Sequence, residues 1–419
     1  MKRWLVGIMV VTSILLVQWD FAQAAWVHYG PIGWGSPSVG RGGAEVAVAD
    51  TCAVLTVNPA GMTQIEGKRL DVGGAILIPR MRFRNPYTKV THDIHRYPFP
   101  EMGYVQRLKG SPWAFGVGMY ANSGGGWDYD LQNPFFPGTL KSTALLLVAK
   151  AVGAAAYQIN EKLSAGFALD VYRVTLKVKS PVGPGIYLNT EEPADNIGLG
   201  FAVGFLYKLH PKLTLGFNFT SQSWIGDLVT RDTVVTFSPL SPWGSKFSKK
   251  YNFKLASFGE PHKISFGLAY RPTEQILLAL DIDWMNLSQQ WETWKLRLTG
   301  DTPAIMARYP FRLRDNYNIQ VGVDYTFKFG LTLRTGYSWS TDVLKDKALF
   351  WVPIIEDVHN IGVGLGYQFK KVGINWAWNK CFTMGEDCVQ TSLPQPDFNR
   401  SHLSYGDQYF SIMLTWHFQ

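Results

Sequence analysis

Large apolar residues alternate with small or polar residues over many segments of this chain. In the segment 197–207, the odd positions are large and apolar, and the even positions are mostly glycine or alanine. The same period of two recurs at 359–369 and 407–418, where the apolar face ends in aromatic residues. Such segments of about ten residues are typical of transmembrane β-barrel strands, which place one face against lipid and the other in the lumen.

The lengths of the connections between these segments support a closed barrel. A single alternating segment could also be a strand of a soluble sandwich. Tight links at 109–111, 160–162 and 210–212 alternate with long ones such as 123–140 and 228–260. Outer-membrane barrels have short periplasmic turns and long outer loops, and their closure leaves no strand edge exposed to lipid. The predicted fold is therefore all-β, a transmembrane antiparallel β-barrel of about fourteen strands.

The N-terminus has the pattern of a secretory signal peptide. Lys2 and Arg3 precede an apolar stretch at 4–17, which is followed by the small-residue cleavage motif Ala-Gln-Ala. A retained membrane anchor fits less well because the apolar stretch is short. We therefore expect residues 1–24 to be removed on export, and the barrel to be located in the outer membrane of a Gram-negative bacterium.

Composition agrees with a protein that faces lipid. Charged residues make up 17% of the chain, whereas soluble domains contain about 25%, and aromatic residues make up 14%. The formal net charge is +8, but the sequence has no basic helix and no aromatic RNA-binding motif, so nucleic acid is not an expected partner. Basic loops near the lipid and lipopolysaccharide phosphates of an outer leaflet account for the charge better.

Residues 25–66 precede the first strand of the barrel, which is predicted to occupy 67–419. They are rich in glycine and small apolar residues, and a barrel of about fourteen strands has a lumen wider than its own side chains fill. We expect this segment to plug the lumen as a hatch, with Asn58 and Pro59 forming the turn from hatch to wall. The alternative is a disordered periplasmic tail, which the apolar composition disfavours.

The segment GRGGAEVAVADTCAVLTVNPAGM, at 40–62, resembles the N-terminal hatch of the FadL/TodX family of outer-membrane transporters of long-chain fatty acids and aromatic hydrocarbons. Its matching positions are Gly40-Arg41, Ala49-Asp50 and Asn58-Pro59-Ala60. The segments 331–342 and 352–367 are similar to late strands of the same family. The resemblance implies a plugged barrel of fourteen strands, a capture groove on the outer surface and a higher-affinity pocket inside.

The resemblance also implies lateral exit of the substrate through a gap made by an inward kink of the third strand. That strand is predicted at 112–127. Gly116 and Gly118 would leave its inner face without bulk, and glycine inside a strand often marks a bulge or kink. They could equally be ordinary lumen-facing glycines.

A fatty acid would need a cation at the end of an apolar pocket, and arginine grips a carboxylate with two hydrogen bonds. Arg173 is the first candidate, because the apolar parity of its strand switches at this point and a bulge would turn the side chain inward. Arg334 is the second, on the small or polar face of its segment. The alternative is that each arginine pairs with a lumenal carboxylate such as Asp170, Asp281, Asp283 or Asp324.

By analogy with the family, the loops around 179–195 and 228–260 would form the capture groove. Trp243 and Phe247 lie beside several lysines in the second loop. Aromatic rings beside lysines could hold an amphipathic acid, or they could contact lipopolysaccharide.

Cys381 and Cys388 lie in the last predicted outer loop. An exported protein is exposed to oxidising conditions, so we expect these two residues to form a disulfide. His92 and His95 are close in sequence, but two histidines in a loop are usually solvated, and no metal site is predicted.

The sequence contains no catalytic, phosphate-binding or cofactor motif, so an enzyme is not expected. The predicted function is passive uptake of hydrophobic small molecules by a monomer, through capture at the outer loops, hatch movement and lateral release. Long-chain fatty acids are the first substrate class and aromatic hydrocarbons the alternative. A carboxylate needs Arg173 or Arg334 inside and unpaired, whereas a hydrocarbon does not. A hydrophilic diffusion porin and a surface adhesin are the alternatives from other classes.

Overall fold

The computed structural model describes residues 32–91, 96–240, 246–300, 303–344, 357–389 and 399–418. The predicted signal peptide, Trp243 and the loop histidines His92 and His95 lie outside these residues. The described part of the chain contains no helix that is long and apolar enough to cross a membrane.

Four short helical elements and twenty-one strands form the described structure. The helical elements are α1 (Gly35–Gly40), α2 (Val54–Val57), a 3₁₀ helix (Pro59–Gln64) and α3 (Leu287–Gln290). The strands are β1 (Lys68–Arg84), β2 (Lys89–Thr91), β3 (Tyr97–Arg107), β4 (Trp113–Gln132), β5 (Thr139–Gln158), β6 (Leu163–Gly183), β7 (Ile186–Thr190), β8 (Ala194–His210), β9 (Leu213–Thr220), β10 (Trp224–Ile225), β11 (Leu228–Phe237), β12 (Phe247–Ala256), β13 (Lys263–Tyr270), β14 (Ile276–Met285), β15 (Thr293–Thr299), β16 (Ile305–Pro310), β17 (Asn316–Thr326), β18 (Leu331–Ser340), β19 (Val358–Gln368), β20 (Val372–Cys388) and β21 (Ser401–Phe418).

Fourteen of these strands pair in one closed antiparallel circuit. Its order is β1, β3, β4, β5, β6, β8, β9, β13, β14, β17, β18, β19, β20, β21 and back to β1. The circuit closes through a continuous ladder from the pair Lys68–Phe418 to the pair Arg84–His402. The predicted all-β antiparallel barrel is confirmed.

Further strands extend the wall at the end of the barrel that carries the long connections, here called the outer end. The strands β11 and β12 form a hairpin there, and β11 pairs with β7 and β8 while β12 pairs with β15. The predicted outer loop 228–260 is therefore largely β-structure. On β12 the polar residues Lys250, Asn252 and Lys254 alternate with Tyr251, Phe253 and Leu255, which places the three apolar side chains inside.

The period of two places large apolar side chains on the outer face of the wall. Ile361 and Leu365 are exposed on β19, and the glycines between them are buried. Ile197 and Leu199 are exposed on β8 in the same way. This face is apolar over a band around the barrel, as a lipid-facing surface requires.

Residues 33–65, here called the N-terminal segment, lie inside the circuit. The helix α1 packs against β18 to β21 and β1, whereas the 3₁₀ helix packs against β3 to β6 and β8. Because these strands stand on opposite sides of the circuit, the segment crosses the lumen. All its residues are buried or half-buried, and Gly67, with φ at 63°, precedes the first wall strand.

Candidate functional site

The outer end of the barrel encloses a large apolar cluster, here called the apolar compartment. Its members come from the wall and from the outer extensions, and they include Tyr172, Val174, Leu176, Phe253, Phe258, Trp291, Trp294, Phe311 and Leu403. Aromatic rings concentrate around Trp294, whose ring centroid lies 5.1 Å from that of Trp291 and 4.8 Å from that of Phe311. Ligand sites for small apolar molecules are lined in this way, with many hydrophobic walls and few polar groups.

Arg173 does not point into this compartment. The β6 ladders to β5 and β8 run through Arg173 without a register shift, so the expected bulge is absent from this part of the strand. Arg173 stands opposite the exposed Ile197 and donates a hydrogen bond to Asp195 at 3.1 Å. Its predicted inward orientation is wrong. The parity switch arises because the inner face becomes apolar at Val174, while the outer face becomes polar.

Arg334 does face the lumen, but it is paired. Its Nε donates to Asp324 at 3.2 Å, and its Nη1 donates to the side-chain oxygen of Asn375 at 3.0 Å. The structure therefore shows the alternative considered for this residue, an ion pair with a lumenal carboxylate.

Asp324 also joins the wall to the N-terminal segment. Arg41 Nη1 donates to Asp324 at 2.9 Å and to Asp50 at 2.6 Å, and Arg41 Nη2 donates to Asp50 at 3.1 Å. Burial would raise the pKa of Asp50, but the adjacent Arg41 guanidinium holds this pKa below its ordinary value. Arg41, Asp50, Asp324 and Arg334 thus form one buried network of alternating charge between segment and wall.

Asn58 fixes the other half of the N-terminal segment. Its Nδ2 donates to the carbonyls of Val46 at 2.9 Å and Phe205 at 3.1 Å, and its Oδ1 accepts from the Ala60 N–H that opens the 3₁₀ helix. The expected turn from hatch to wall is not at Asn58 and Pro59, because the 3₁₀ helix follows and the wall begins at Lys68. Asn58 to Ala60 instead dock against wall glycines, since side chains at Gly166 and Gly204 would collide with them.

Gly116 and Gly118 also make room for the N-terminal segment. A β-carbon at Gly116 would lie 2.6 Å from Leu55 Cδ2, and one at Gly118 would lie 3.0 Å from Leu55 Cδ1. Both glycines belong to the part of β4 that still pairs regularly with β3. They accommodate Leu55 and do not themselves produce a kink.

The irregular part of β4 begins a few residues later. The β3–β4 ladder ends at the pair Glu101–Tyr120, whereas the β4–β5 ladder continues to Gln132 with a register shift between Ala121 and Ser123. We call residues 121–131 the seam, because no β3–β4 ladder pair is present there among the described residues. Residues 123–129 are all buried, although a regular wall strand would expose every second one.

Glu260 reaches the start of the seam from the far side of the barrel. It lies between β12 and β13 and is only 5% exposed. Its carboxylate accepts hydrogen bonds from Asn122 Nδ2 at 2.9 Å and from Ser123 Oγ at 2.8 Å. The Glu260 N–H donates to Ser223 Oγ at 2.7 Å. The bulge at Asn122 is therefore held by a carboxylate whose backbone is in turn fixed by Ser223.

Phe247 lies in β12, where its ring stacks on that of Phe237 with centroids 4.5 Å apart. It therefore belongs to the outer hairpin and not to a loop, and its role in substrate capture stays a prediction, whereas Trp243 lies outside the described residues.

Cys381 and Cys388 do not form the predicted disulfide. Both lie on the same strand, β20, and both are buried. Seven residues of extended strand span about 20 Å or more, whereas a disulfide needs Cα atoms within about 7 Å. The prediction is wrong because the expected loop is a continuation of the strand.

Sequence reasoning did not identify Arg41, Asp50 and Glu260 as structural anchors. Arg41 and Asp50 lie inside the motif that carries the family resemblance, which is the signal that could have selected them. Glu260 had no such signal, because its partners Asn122 and Ser123 lie far away in sequence.

A sequence model of the outer membrane protein transport protein family (OMPP1/FadL/TodX) matches residues 38–393 of this chain. The toluene transporter TodX of Pseudomonas putida has a TM-score of 0.80 at 20% identity, covering 92% of this chain and 99% of that chain. The toluene transporter TbuX of Ralstonia pickettii has a TM-score of 0.74 at 17% identity, covering 92% and 99%. A FadL homologue of Pseudomonas aeruginosa has a TM-score of 0.75 at 16% identity, covering 95% and 100%.

No curated protein sequence matches the chain in a direct comparison. At identities of 16–20%, the likeness to the solved structures shows a shared fold. Since the family model spans most of the chain, the chain belongs to the outer membrane transport protein family OMPP1/FadL/TodX, whose members carry hydrophobic substrates across the outer membrane.

Proposed function

We propose that this protein mediates passive uptake of uncharged hydrophobic small molecules, of the aromatic-hydrocarbon class, across the outer membrane. The observation that carries the proposal is an aromatic-rich apolar compartment above a lumen in which five cations of the described residues are already paired with carboxylates. An uncharged aromatic molecule can enter such a compartment without displacing any charged group, and it gains edge and face contacts with rings such as Trp294.

The pairing of the lumenal cations is what disfavours a carboxylate. Five such cations lie within ion-pair distance of carboxylates: Arg41 with Asp50 and Asp324, Arg69 with Asp71, Lys150 with Asp170, Lys263 with Asp283, and Arg334 with Asp324. A fatty acid would have to displace one of these carboxylates, which would leave a buried charge without its partner. Breaking a buried pair in this way is strongly unfavourable.

The proposed route runs from the outer hairpin into the apolar compartment and then out through the seam. In this route the N-terminal segment, predicted as the hatch over 25–66, closes the barrel of 67–419 below the compartment. The seam keeps its ladder to β5 but has no ladder to β3 among the described residues, so a substrate leaving there would enter the membrane without crossing the hatch. Release from one apolar environment to another needs no coupled energy source.

The proposed route includes hatch movement. A polar pocket of about 70 Å³ lies between the N-terminal segment and the wall strands β13, β14 and β18, and Trp34, Val57, Lys263 and Asp283 are among the residues that line it. Local rearrangement of the segment would begin here, where its packing against the wall is incomplete.

The similar solved structures include toluene transporters and a FadL homologue, and at these identities they do not separate the substrate classes. The choice between aromatic hydrocarbons and fatty acids therefore depends on the residues of this chain. Long-chain fatty acids remain the second candidate, and the observation that favours them is Lys150. Its Nζ lies 3.7 Å from Asp170, the longest of the lumenal ion pairs above, and 6.0 Å from the centre of the Trp34 ring.

The test is uptake of labelled toluene and labelled oleate by cells that lack their own importer, with and without this protein. The variant Trp294→Ala should reduce toluene uptake, whereas Trp224→Ala should not, because Trp224 is on the lipid-facing side of the wall. Toluene uptake should be unaffected by Lys150→Gln. Oleate uptake that Lys150→Gln abolishes would establish the fatty-acid alternative, and uptake of a hydrophilic sugar alone would establish a porin.

A further inference from the structure

Four basic side chains are exposed together on the outer face of the strands β12, β15 and β16. They are Lys254, Lys295, Arg297 and Arg308. The opposite face of these strands packs into the apolar compartment through residues such as Leu255 and Leu296. Alternation therefore fixes the four basic side chains on the side of the wall that faces away from the barrel.

These cations stand opposite one another across the strand ladders. Lys254 pairs in register with Arg297, and Lys295 pairs in register with Arg308. Side chains of directly opposite residues are about 5 Å apart at their β-carbons, and like charges at such positions destabilise a sheet. A nearby anion would therefore stabilise the arrangement.

The protein itself supplies little compensation at this face. Lys254 forms an ion pair with Asp227. None of the ion pairs among the described residues involves Lys295, Arg297 or Arg308. Three cations on two paired strands thus have no ion-pair partner among the described residues and are available to an external anion.

The cluster lies next to the apolar band of the barrel. Trp224 on β10, which precedes β12 along the chain, is 53% exposed, and Ile282 on β14, which precedes β15, is 46% exposed. On the same outer face, Met306 is 68% exposed and stands opposite Arg297, while Val229 is 49% exposed and stands opposite Lys254. Cations and exposed apolar side chains are thus direct neighbours across the strands.

We propose that this face binds the phosphate group of a phosphorylated glycolipid in the outer leaflet. Arginine matches phosphate through two parallel hydrogen bonds, and each basic residue near an anionic membrane surface adds to the affinity. The adjacent Met306 and Val229 would contact the acyl part of the same molecule. A free phosphate ion would use only the cations, so the apolar neighbours favour a lipid over a soluble anion.

The test measures binding to the full-length protein in micelles of an uncharged detergent by native mass spectrometry. The probes are diphosphoryl lipid A, lipid A from which the phosphates have been removed, and inorganic phosphate. The face variant carries Lys295→Gln, Arg297→Gln and Arg308→Gln. The matched control carries Lys109→Gln, Lys162→Gln and Lys371→Gln, which remove the same charge from exposed turns at the opposite end of the barrel.

The face variant should lose affinity for diphosphoryl lipid A by about tenfold or more, while the control keeps the wild-type affinity. The dephosphorylated lipid should bind all three proteins equally weakly. Equal losses in both variants, or no loss in either, would overturn the site. Competition by inorganic phosphate at the same concentration as the lipid would show a site for free phosphate and overturn the assignment to a lipid. Heat-modifiable migration on gels checks that each variant is folded.

Discussion

The substitution Gly322→Ala should open the barrel by displacing the N-terminal segment. A β-carbon at Gly322 would lie 2.6 Å from Arg41 Cβ, 2.7 Å from the Arg41 carbonyl oxygen and 3.1 Å from Arg41 Cα. Non-bonded heavy atoms normally approach to about 3.5–4.0 Å. Since these Arg41 atoms cannot rotate away as a flexible side chain would, the Arg41 backbone must move by about 1 Å.

A movement of this size breaks the network that Arg41 forms. The Arg41–Asp324 hydrogen bond of 2.9 Å would lengthen beyond hydrogen-bonding range, and Asp324 would keep only Arg334. Arg41 would keep Asp50, so the loss is that of one hydrogen bond between charged groups, which costs about 1.5–3 kcal/mol. Each 1.4 kcal/mol changes an equilibrium constant by about tenfold, so the equilibrium between docked and displaced segment should shift by about ten- to a hundredfold.

Ion conductance of the purified protein in planar lipid bilayers measures this shift. Gly322→Ala should show frequent long openings, and limited proteolysis should cut its N-terminal segment faster than that of the wild type. The control Gly153→Ala adds the same methyl group where no atom lies within 4 Å, and it should behave as the wild type. Closed-state conductance and protease resistance of Gly322→Ala equal to those of the control would refute the docking role of Arg41.

Three other outcomes follow from the contacts described above. Glu260→Ala should remove the acceptor of two hydrogen bonds at the seam, at a cost of about 1–3 kcal/mol. Amide hydrogen exchange in residues 121–131 should therefore rise, whereas the control Glu274→Ala, in an exposed turn, should leave this exchange unchanged. Arg173→Ala should leave uptake at the wild-type level, and a large loss would contradict its outward orientation. Because Arg41 holds the pKa of Asp50 below its ordinary value, the stabilisation from this pair is present above the ordinary pKa and is lost only as pH falls through the lowered one. Asp50→Asn should therefore change the rate of proteolysis of the N-terminal segment by the same factor at pH 5 and at pH 7.

The barrel could be predicted because its dominant physical constraint is local in sequence. Every wall strand within the hydrocarbon must put apolar side chains outward, so Ile361 and Leu365 alternate with glycines and reveal the strand without any knowledge of its neighbours. The outer extension was less predictable. Lys254 and Phe253 also alternate, but the polar side chain is the outward one, so the segment resembles a loop with mixed composition.

The anchors of the N-terminal segment could be predicted only in part. Glycines such as Gly204 and Gly322 make room for this segment, yet they have the same sequence pattern as lumen-facing glycines elsewhere. They must be glycine because residues from a distant part of the chain pack against them. The same limit applies to Glu260, whose carboxylate meets residues more than a hundred positions away. Long-range contacts of this kind leave no periodic signal in one sequence.

The error at Arg173 shows how two causes of a parity switch differ. A bulge shifts one strand relative to its neighbours, so the change in parity occurs on that strand alone. A strand that leaves the hydrocarbon keeps its register, and polar residues then appear on the outward face of neighbouring strands near the same height. In this structure Arg173 on β6 and Asp195 on β8 both face outward and are hydrogen-bonded, while Val174 and Ala194 are buried inside. A coincident switch on consecutive strands therefore indicates the membrane boundary, and it predicts that cations just beyond it, including Lys254 and Arg297, lie at the level of the lipid phosphates.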